Sequence, residues 1–279
     1  MKKIIFFLAL FGGFWGLPAF AQWPYDVPFV PSPQVVVDEM LRLAVVTRDD
    51  FVIDLGSGDG RILITAAQKF GARGIGVDLD ESLIEQSVAN AQAAGVADQV
   101  QFLRQDLFKT DLSKASVITL YLLPGVNMRL RPVLLALKPG TRIVAHDFDL
   151  GDWKPDVKVT LRKNAMLWIV PANVAGRWQI RVSFPEGERT FDVDIRQQFQ
   201  EIDGVVRIAG AIPGGLWQTS LRGDKVRFAI VDNAVRELEA TMYFEGIARE
   251  GVMEGELLRG VGATQTRHRW RAIRIPNKD

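Results

Sequence analysis

A glycine-rich turn carries the most specific chemistry in this sequence. Residues 54–61 (DLGSGDGR) follow a short apolar run at residues 51–53, which predicts a buried strand, and open a predicted helix over residues 61–70. Glycines at a strand–helix turn allow a tight bend and a close approach of the backbone to a ligand. We expect the turn to form one wall of a ligand site through the following residues: Asp54, Gly56, Ser57, Gly58 and Gly60.

Two later aspartates extend this site. Asp78 ends the second predicted strand, and Asp106 follows the third. The tips of neighbouring parallel strands lie side by side, so Asp78 is placed to accept hydrogen bonds from both hydroxyls of a ribose. Asp106 stands where an adenine amino group would donate to it.

The spacing and charge of the turn separate two classes of nucleotide ligand. The glycines are spaced Gly-x-Gly-x-Gly, whereas nicotinamide enzymes use Gly-x-Gly-x-x-Gly. Asp54 and Asp59 would repel a pyrophosphate but suit a sulfonium or an ammonium group. These features favour S-adenosylmethionine as the cofactor. The alternative is a tight strand–helix turn with solvated acids.

The elements that position these residues alternate along the chain. Short apolar runs near residues 51–53, 74–77, 100–103, 117–123 and 142–145 predict five strands. Amphipathic stretches over residues 34–46, 61–70, 81–94 and 128–137 predict the helices between them. Strand–helix alternation predicts an α/β domain with a mostly parallel sheet covered on both faces. We assign this domain to residues 34–156.

The pattern changes after about residue 152, and residues 165–279 are predicted to form a second, β-rich domain. Apolar and polar residues alternate over residues 191–199 and 226–230, and glycine-rich turns interrupt the segment. This pattern predicts an antiparallel barrel or sandwich. Residues 176–178 (GRW) resemble the Gly-x-Trp start of lipocalin-like barrels, in which a late arginine stacks on the tryptophan; Arg271 or Arg274 would serve here.

The first residues have the layout of a secretory signal. Lys2 and Lys3 precede an uncharged, mostly apolar stretch over residues 4–17, and residues 19–21 (AFA) supply small residues for cleavage before Gln22. We therefore expect residues 1–21 to be a signal peptide, followed by a proline-rich arm over residues 22–33. The expected location is outside the cytoplasmic membrane, in the periplasm, and an uncleaved membrane anchor is the alternative.

Composition excludes several kinds of site. The 279 residues include no cysteine, which excludes a thiolate nucleophile, a disulfide framework and a zinc–thiolate site. They include only two histidines, so we predict no metal site. The 34 basic and 33 acidic residues give a net charge of +1. A near-neutral chain lacks the broad positive field that drives nucleic-acid binding, so we do not expect a nucleic-acid partner.

Taken in order, these motifs resemble class I S-adenosylmethionine-dependent methyltransferases with a Rossmann-like domain. Within that class the sequence is most similar to the ATP synthase c-subunit lysine methyltransferases and their bacterial relatives. The resemblance rests on residues 29–33 (FVPSP), 54–62 (DLGSGDGRI), 121–124 (YLLP) and 146–153 (HDFDLGDW). It implies methyl transfer to an amine, either a small molecule or a protein lysine, with a membrane-proximal substrate as one option. An exported, non-catalytic binding protein is the alternative.

The residues after the fourth predicted strand bear on the acceptor. Methyltransferases that act on amide or adenine nitrogens often place an Asn/Asp-Pro-Pro-Tyr sequence here, whereas residues 121–124 (YLLP) offer one phenol in an apolar slot. Such a slot suits an aliphatic amine, which must lose a proton before it attacks. We predict catalytic roles for Tyr121, which would orient the amine through its hydroxyl, and for Asp147, which would accept the proton; loss of the proton to water is the alternative. The predicted substrate contacts are Pro31, Pro33, Pro124 and His146.

Overall fold

The computed structural model describes residues 28–160, 163–232, 241–260 and 265–276. The predicted signal peptide and residues 22–27 of the predicted arm lie outside these ranges. No helix within the described ranges is both long enough and apolar enough to cross a bilayer.

A seven-stranded sheet organises the first domain, in the spatial order β3-β2-β1-β4-β5-β7-β6. β1 to β5 are parallel, and β7 runs antiparallel to both β5 and β6. The predicted α/β class with a mostly parallel sheet is confirmed. The strands are β1 (Phe51–Leu55), β2 (Arg73–Asp78), β3 (Val100–Arg104), β4 (Val117–Leu120), β5 (Arg142–His146), β6 (Val157–Thr160) and β7 (Asn164–Ile169).

Helices cover both faces of this sheet. They are α1 (Gln34–Leu43), α2 (Arg61–Phe70), α3 (Glu81–Ala93) and α4 (Pro124–Leu135), with a short 3-10 helix at Leu107–Lys109. The fourth helix was predicted to begin at Met128 and begins four residues earlier. Pro124 occupies its first position, where a missing N–H costs nothing and the fixed φ angle suits a helix.

Neighbouring residues of each central strand face opposite cores. Val52 packs with α1, α2 and α3, whereas Ile53 packs with α4. A strand buried on both faces reads as a continuous apolar run, which is why residues 51–53 were recognisable as a strand. With both faces covered, the loops at the carboxyl ends of the parallel strands remain available for ligands.

The first sheet continues beyond residue 156, where we had placed the end of the first domain. β7 pairs with β5 from Arg142↔Ile169 to His146↔Ala165, so residues up to Ile169 belong to this sheet. The second sheet begins at Gly176. Both strands come after the change in sequence texture at about residue 152, so β6 fell between the two predicted domains and most of β7 fell within the predicted β-rich domain.

The second domain is a nine-stranded antiparallel sheet that curls into a nearly closed barrel. Its spatial order is β11-β10-β9-β8-β16-β15-β14-β13-β12, and β10 approaches β12 across the remaining gap. The predicted antiparallel all-β architecture is confirmed. Its strands are β8 (Gly176–Phe184), β9 (Gly187–Gln198), β10 (Glu201–Arg207), β11 (Gly214–Gly215), β12 (Trp217–Arg222), β13 (Lys225–Val231), β14 (Thr241–Arg249), β15 (Val252–Arg259) and β16 (Thr266–Ile275).

The barrel shows the predicted stacking of an arginine on Trp178. The guanidinium carbon of Arg274 lies 4.9 Å from the centre of the Trp178 ring. The same arginine donates a hydrogen bond to the carbonyl of Asn173, and the Trp178 indole N–H donates to Val174 at 2.8 Å. Of the two arginines considered, Arg274 therefore closes this end of the barrel.

The two domains meet at Trp153, which is fully buried. Its indole N–H donates to the side-chain oxygen of Gln200 at 2.9 Å, and its ring stacks on Phe199 at 6.0 Å between centroids. Phe199 and Gln200 form the turn between β9 and β10. Phe199 adopts a left-handed φ of 55°, a conformation that costs energy for an aromatic residue, so contacts with the first domain help to hold this turn.

Candidate active site

The glycine turn between β1 and α2 depends on three left-handed glycines. Gly56, Gly58 and Gly60 have φ angles of 77°, 54° and 80°. Residues with a Cβ rarely adopt these angles, so the turn needs glycine at each position. The backbone N–H groups of Gly56 and Ser57 both donate to the carbonyl of Val77 at 2.9 Å, which fastens the turn to the end of β2.

Asp78 organises the rim of the turn. One carboxylate oxygen accepts a hydrogen bond from the N–H of Gly58 at 2.9 Å, and the other accepts from the N–H of Asp80 at 3.1 Å. The carboxylate thus joins the glycine turn to the start of α3 and lines a cleft at the carboxyl edge of the sheet. Each of its oxygens has a further lone pair that can accept from a ligand.

Asp54 lies beneath the turn and does not line the cleft within the described residues. Its side chain is buried and accepts a hydrogen bond from the Thr119 hydroxyl at 2.6 Å. Burial, reinforced by the negative charges of Asp78 and Asp59, raises the pKa of Asp54 to about 7. Its second oxygen has no partner among the described residues.

Asp59 is neutralised by its neighbour Arg61. Burial favours the protonated carboxyl, but hydrogen bonds from the Arg61 guanidinium prevail and hold the pKa of Asp59 below its ordinary value. The pair is 2.5 Å apart, and Arg61 also donates to the carbonyl of Ser32 at 2.9 Å. Arg61 therefore links the glycine turn to the chain that precedes α1.

Asp106 lies at the other end of the cleft, after β3. One of its oxygens accepts from the N–H of Phe108 at 2.9 Å, and the other lies 3.7 Å from the Lys109 amine. The guanidinium of Arg129 stacks over the Phe108 ring at 3.9 Å, and both side chains line the cleft. This end combines a carboxylate acceptor with a flat aromatic surface.

The cleft has a volume of about 220 Å³ and is roofed by the proline-rich arm. Residues 28–32 of the arm lie opposite the glycine turn, and the Phe29 ring packs over Gly58. A Cβ added at Gly58 would stand 2.4 Å from the Phe29 ring, which is closer than atoms can approach. The absence of a side chain at Gly58 therefore allows the arm to close over the cleft.

Aromatic rings form the wall after β4. Tyr121 lines the cleft and stacks on His146, with 3.8 Å between ring centroids, and on Phe148 at 6.2 Å. His146 is 1% exposed, and burial lowers the pKa of His146, so the ring is neutral at pH 7. Its Nδ1 is hydrogen-bonded to the Ser32 hydroxyl at 2.8 Å.

Asp147 turns away from this wall. Its left-handed φ of 65° directs the carboxylate to the Lys163 amine at 2.6 Å and to the backbone and side chain of Asn164. Burial opposes ionisation, but the Lys163 hydrogen bond prevails and lowers the pKa of Asp147. Asp147 is not among the described residues that line the cleft, and its catalytic role stays a prediction.

The predicted proline contacts occupy different positions. Pro31 lines the cleft, whereas Pro33 precedes the first residue of α1 and Pro124 is the first residue of α4. The cleft brings together the following predicted site residues: Pro31, Gly56, Ser57, Gly58, Asp78, Asp106 and Tyr121. The roles of all the predicted site residues stay predictions.

Sequence reasoning did not assign a role to several residues that shape the cleft. Phe29 and Ser32 lie in the segment 29–33 on which the family resemblance rests, but neither was predicted as a site residue. Arg61 was read as the start of a helix, and its ion pair with Asp59 became visible only in the fold. Arg129 lies on α4 with no local motif, so nothing in the sequence directed attention to it.

The cleft fits S-adenosylmethionine. Asp78 and Asp106 present carboxylate acceptors at positions suited to a ribose and an adenine amino group. The buried hydroxyl of Ser57 lines the cleft and has no partner among the described residues, as expected for a group that serves a polar ligand. The charges of Asp54 and Asp59, which we expected to select a sulfonium over a pyrophosphate, do not face the cleft unopposed: Asp54 lies beneath the turn against Thr119, and Asp59 is paired with Arg61. The fit therefore rests on Asp78, Asp106 and Ser57.

Comparison with known proteins agrees with this fit. The model of the ANTKMT methyltransferase domain matches residues 54–157. A protein-lysine N-methyltransferase of Saccharolobus islandicus (strain REY15A) is 41% identical over 152 residues, which are 54% of this chain and 94% of the relative. The ATP synthase c-subunit lysine N-methyltransferase of Mus musculus is 34% identical over 131 residues, 47% of this chain and 52% of the relative. This chain thus spans about half the length of the mouse relative.

Solved structures also match this domain, and one of them is similar over half of this chain. The crystal structure of an RNA methyltransferase from Salinibacter ruber in complex with S-adenosyl-L-homocysteine is 52% identical, with a TM-score of 0.51. The match covers 52% of this chain and 96% of that chain. S-adenosylhomocysteine is the demethylated product of S-adenosylmethionine, so the comparison supports the same cofactor here.

The fold, the cleft and these relatives define an enzyme that uses S-adenosylmethionine as methyl donor. The chain belongs to the class I S-adenosylmethionine-dependent methyltransferases, and its residues 54–157 match the ANTKMT methyltransferase domain within that class. The predicted resemblance and the predicted cofactor are confirmed. The barrel lies beyond residue 157 and therefore outside the family model.

Proposed function

We propose that this enzyme transfers a methyl group from S-adenosylmethionine to the ε-amine of a lysine in a protein. One observation carries the proposal: the chain is 41% identical to a protein-lysine N-methyltransferase across 94% of that relative. The wall after β4 supports it. Residues 121–124 (YLLP) provide one phenol and otherwise apolar groups, so the wall has no side-chain amide or carboxylate to grip a planar nitrogen.

The main task of the protein in methyl transfer is to align the acceptor amine with the methyl donor. S-adenosylmethionine supplies a methyl group on a positively charged sulfur, which is already activated for direct displacement. The chain must exclude water and hold a neutral amine in line with that bond. Tyr121 lines the cleft and is fixed by its stack on His146, so its hydroxyl is placed to orient the amine.

The amine must lose a proton before it attacks. Asp147 was one predicted acceptor and water was the other. The Lys163 ion pair lowers the pKa of Asp147 and makes that carboxylate a weak base. This contact favours direct release of the proton to water, with Asp147 holding Lys163 and the start of β7 in place.

The acceptor class is tested by offering several acceptors to the same enzyme. The purified protein is incubated with radiolabelled S-adenosylmethionine and, separately, with lysine-containing peptides, their arginine-substituted counterparts, free lysine and total RNA. We expect label only on lysine-containing polypeptides, and mass spectrometry should place added units of 14 Da, the mass of a CH₂ group, on lysine. Label on RNA with none on polypeptide would overturn the proposal.

RNA is included because the Salinibacter relative is described as an RNA methyltransferase. Two observations favour polypeptide for this chain. Its net charge is +1, which supplies little of the phosphate attraction that RNA enzymes use. In addition, residues 121–124 after β4 offer no side-chain amide or carboxylate to pair with a base edge. A non-catalytic binding role is not favoured, because the family is enzymatic.

We propose further that the chain is exported, as the composition of residues 1–21 indicates. Export would place it near membrane proteins and away from the cytosolic source of S-adenosylmethionine. Mass spectrometry of the amino-terminal peptide after cell fractionation tests this. We expect Gln22 as the first residue, in the periplasmic fraction. A cytosolic chain that retains Met1 would contradict export, and a membrane-bound chain that retains it would indicate the anchor.

A further inference from the structure

A continuous chain of contacts crosses the cleft from the glycine turn to the aromatic wall. Arg61 is paired with Asp59 in the turn and donates to the carbonyl of Ser32 at 2.9 Å. The Ser32 hydroxyl is hydrogen-bonded to Nδ1 of His146 at 2.8 Å. His146 in turn stacks on Tyr121 at 3.8 Å, with 26° between the ring planes.

Ser32 is the residue through which these contacts connect the arm to the sheet. Ser32 is 3% exposed and His146 is 1% exposed, so water does not compete for the bond between them. The His146 Nε2 atom has no hydrogen-bond partner among the described residues. The Ser32 hydroxyl therefore supplies the one hydrogen bond that restrains the rotation of this ring within the described part of the chain.

We propose that Ser32 is a positioning residue for methyl transfer: it holds His146 against Tyr121 and thereby links the seating of the arm over the cleft to the orientation of the acceptor wall. The inference rests on the proposed function, because it assigns the acceptor side of the cleft to Tyr121. Ser32 does not itself touch the reacting atoms in this scheme. It acts through His146 and Tyr121.

The link predicts that the two sides of the cleft respond to each other. Phe29 and Ser32 lie three residues apart in the arm, one against Gly58 and the other against His146. A ligand that draws the arm down onto the glycine turn will therefore change the surroundings of His146. Removal of the Ser32 hydroxyl breaks that transmission but leaves the carbonyl that accepts from Arg61.

The first test reads His146 directly and needs no acceptor. The chain contains two histidines, His146 and His268, so long-range ¹H–¹⁵N spectra of labelled protein are assigned with an H268Q variant. We expect one defined set of His146 ring signals in the wild type, and we expect these signals to move when S-adenosylhomocysteine is added. In S32A we expect the His146 ring signals to shift or broaden and to respond little to the same ligand. S32T keeps a hydroxyl and should restore the His146 ring signals and their response to the ligand. S183A, on the exposed face of β8, is the matched control.

The second test reads catalysis. We expect S32A to lower kcat five- to twentyfold while the KM for S-adenosylmethionine changes less than threefold, and we expect S32T to recover most of the rate. H146F keeps a ring beside Tyr121 but cannot bond Ser32. The S32A/H146F double variant should therefore be no slower than H146F alone, because the two substitutions break one link.

The outcomes separate this inference from the proposed function. If the wild type methylates no lysine, the proposed function fails, and the His146 spectra still decide the role of Ser32. Unchanged His146 ring signals with an undiminished ligand response in S32A would overturn the positioning role. Rate losses in S32A and H146F that multiply in the double variant would overturn it as well. If S32A does not fold, S32T and H146F carry the same comparison.

Discussion

The carboxylate of Asp78 accepts a hydrogen bond from the backbone N–H of Gly58 at 2.9 Å, across the gap between the end of β2 and the middle of the glycine turn. The contact joins the two parts of the chain that sequence analysis had marked as one ligand site. It also fixes the carboxylate at the cleft, where it can accept from a ribose. The turn and the acid therefore depend on each other for their geometry.

Replacing Asp78 by alanine removes both the acceptor for Gly58 and the predicted acceptor for the ribose. We expect the Kd for S-adenosylhomocysteine, measured by titration calorimetry, to rise more than tenfold, because a lost charged acceptor costs roughly 1.5–3 kcal/mol. D78N keeps one acceptor oxygen, so its Kd should lie between those of the wild type and D78A. D49A removes an exposed aspartate outside the cleft and should bind like the wild type. Unchanged affinity in D78A would show that the ribose lies elsewhere.

The close approach of Phe29 to Gly58 makes a second prediction. In G58A the new methyl group collides with the Phe29 ring at a backbone angle that alanine resists, so the arm must lift. We expect ligand affinity to fall at least tenfold. In an F29A background the collision is absent, and the added loss from G58A should be smaller because only backbone strain remains. Equal losses in the two backgrounds would mean that the arm does not contribute to binding.

Asp54 gives the ligand-free protein a pH-dependent stability. Its pKa is raised by burial from 3.8 to about 7, so the folded chain holds a proton that the unfolded chain has already released. Between about pH 4 and pH 7 the ionisation of Asp54 therefore makes the free energy of unfolding fall as the pH rises, by up to about 1.4 kcal/mol per pH unit.

The D54N variant tests this term, because asparagine keeps an acceptor for Thr119 but cannot ionise. Urea unfolding gives the free energy of unfolding of D54N and of the wild type at pH 5 and at pH 8. The difference between the two proteins should shift in favour of D54N by roughly 1–3 kcal/mol at the higher pH. Comparison of the two pH values cancels the constant cost of burying the amide. A difference that does not change with pH would place the pKa of Asp54 near its ordinary value.

Arg274 and Arg271 allow a matched test of the barrel closure. R274A loses the stack on Trp178 and the hydrogen bond to Asn173, so we expect about 1–3 kcal/mol of destabilisation in urea unfolding. R271A loses only an exposed contact with Glu254 at 3.9 Å and should cost less than about 0.5 kcal/mol. Equal losses would show that stacking on Trp178 does not stabilise the barrel.

Gln200 tests the junction between the domains. Its side chain accepts from Trp153 and donates to the carbonyl of Lys154 at 2.7 Å. We expect Q200A to cost about 1–2 kcal/mol, since it leaves the buried indole N–H of Trp153 without its partner. Calorimetry should then show the two domains melting further apart in temperature. Q198A, an exposed neighbour on β9, is the control. A single transition identical to that of the wild type would mean that Gln200 does not couple the domains.

The parts of the fold that could be predicted were those with a local physical cause. Residues 51–53 are apolar because their strand is buried on both faces, and Gly56, Gly58 and Gly60 are glycines because their φ angles require it. The three aspartates could be placed because strand tips in a parallel sheet adjoin one another. Arg274 was one of two candidates for stacking on Trp178, because lipocalin-like barrels that begin with Gly-x-Trp place an arginine near the chain end against the tryptophan.

What could not be predicted depends on contacts between distant residues. β7 follows the change in sequence texture, and only its pairing with β5 assigns it to the first sheet. Ser32 and His146 are 114 residues apart, and nothing near either residue indicates the other. Asp54 was expected beside the cofactor, but the strand direction places it under the turn against Thr119. Orientation of this kind follows from tertiary packing.

The reversed direction of β7 decides where the barrel is rooted. Its pairing runs from His146↔Ala165 to Arg142↔Ile169, so the chain leaves the first sheet beside the amino ends of the parallel strands. The glycine turn and Tyr121 occupy the far ends of those strands. The connection to the barrel, which begins at residue 170, is therefore made at the edge of the sheet opposite the cleft, and a change in its length would act first on the base of the sheet and not on the reacting groups.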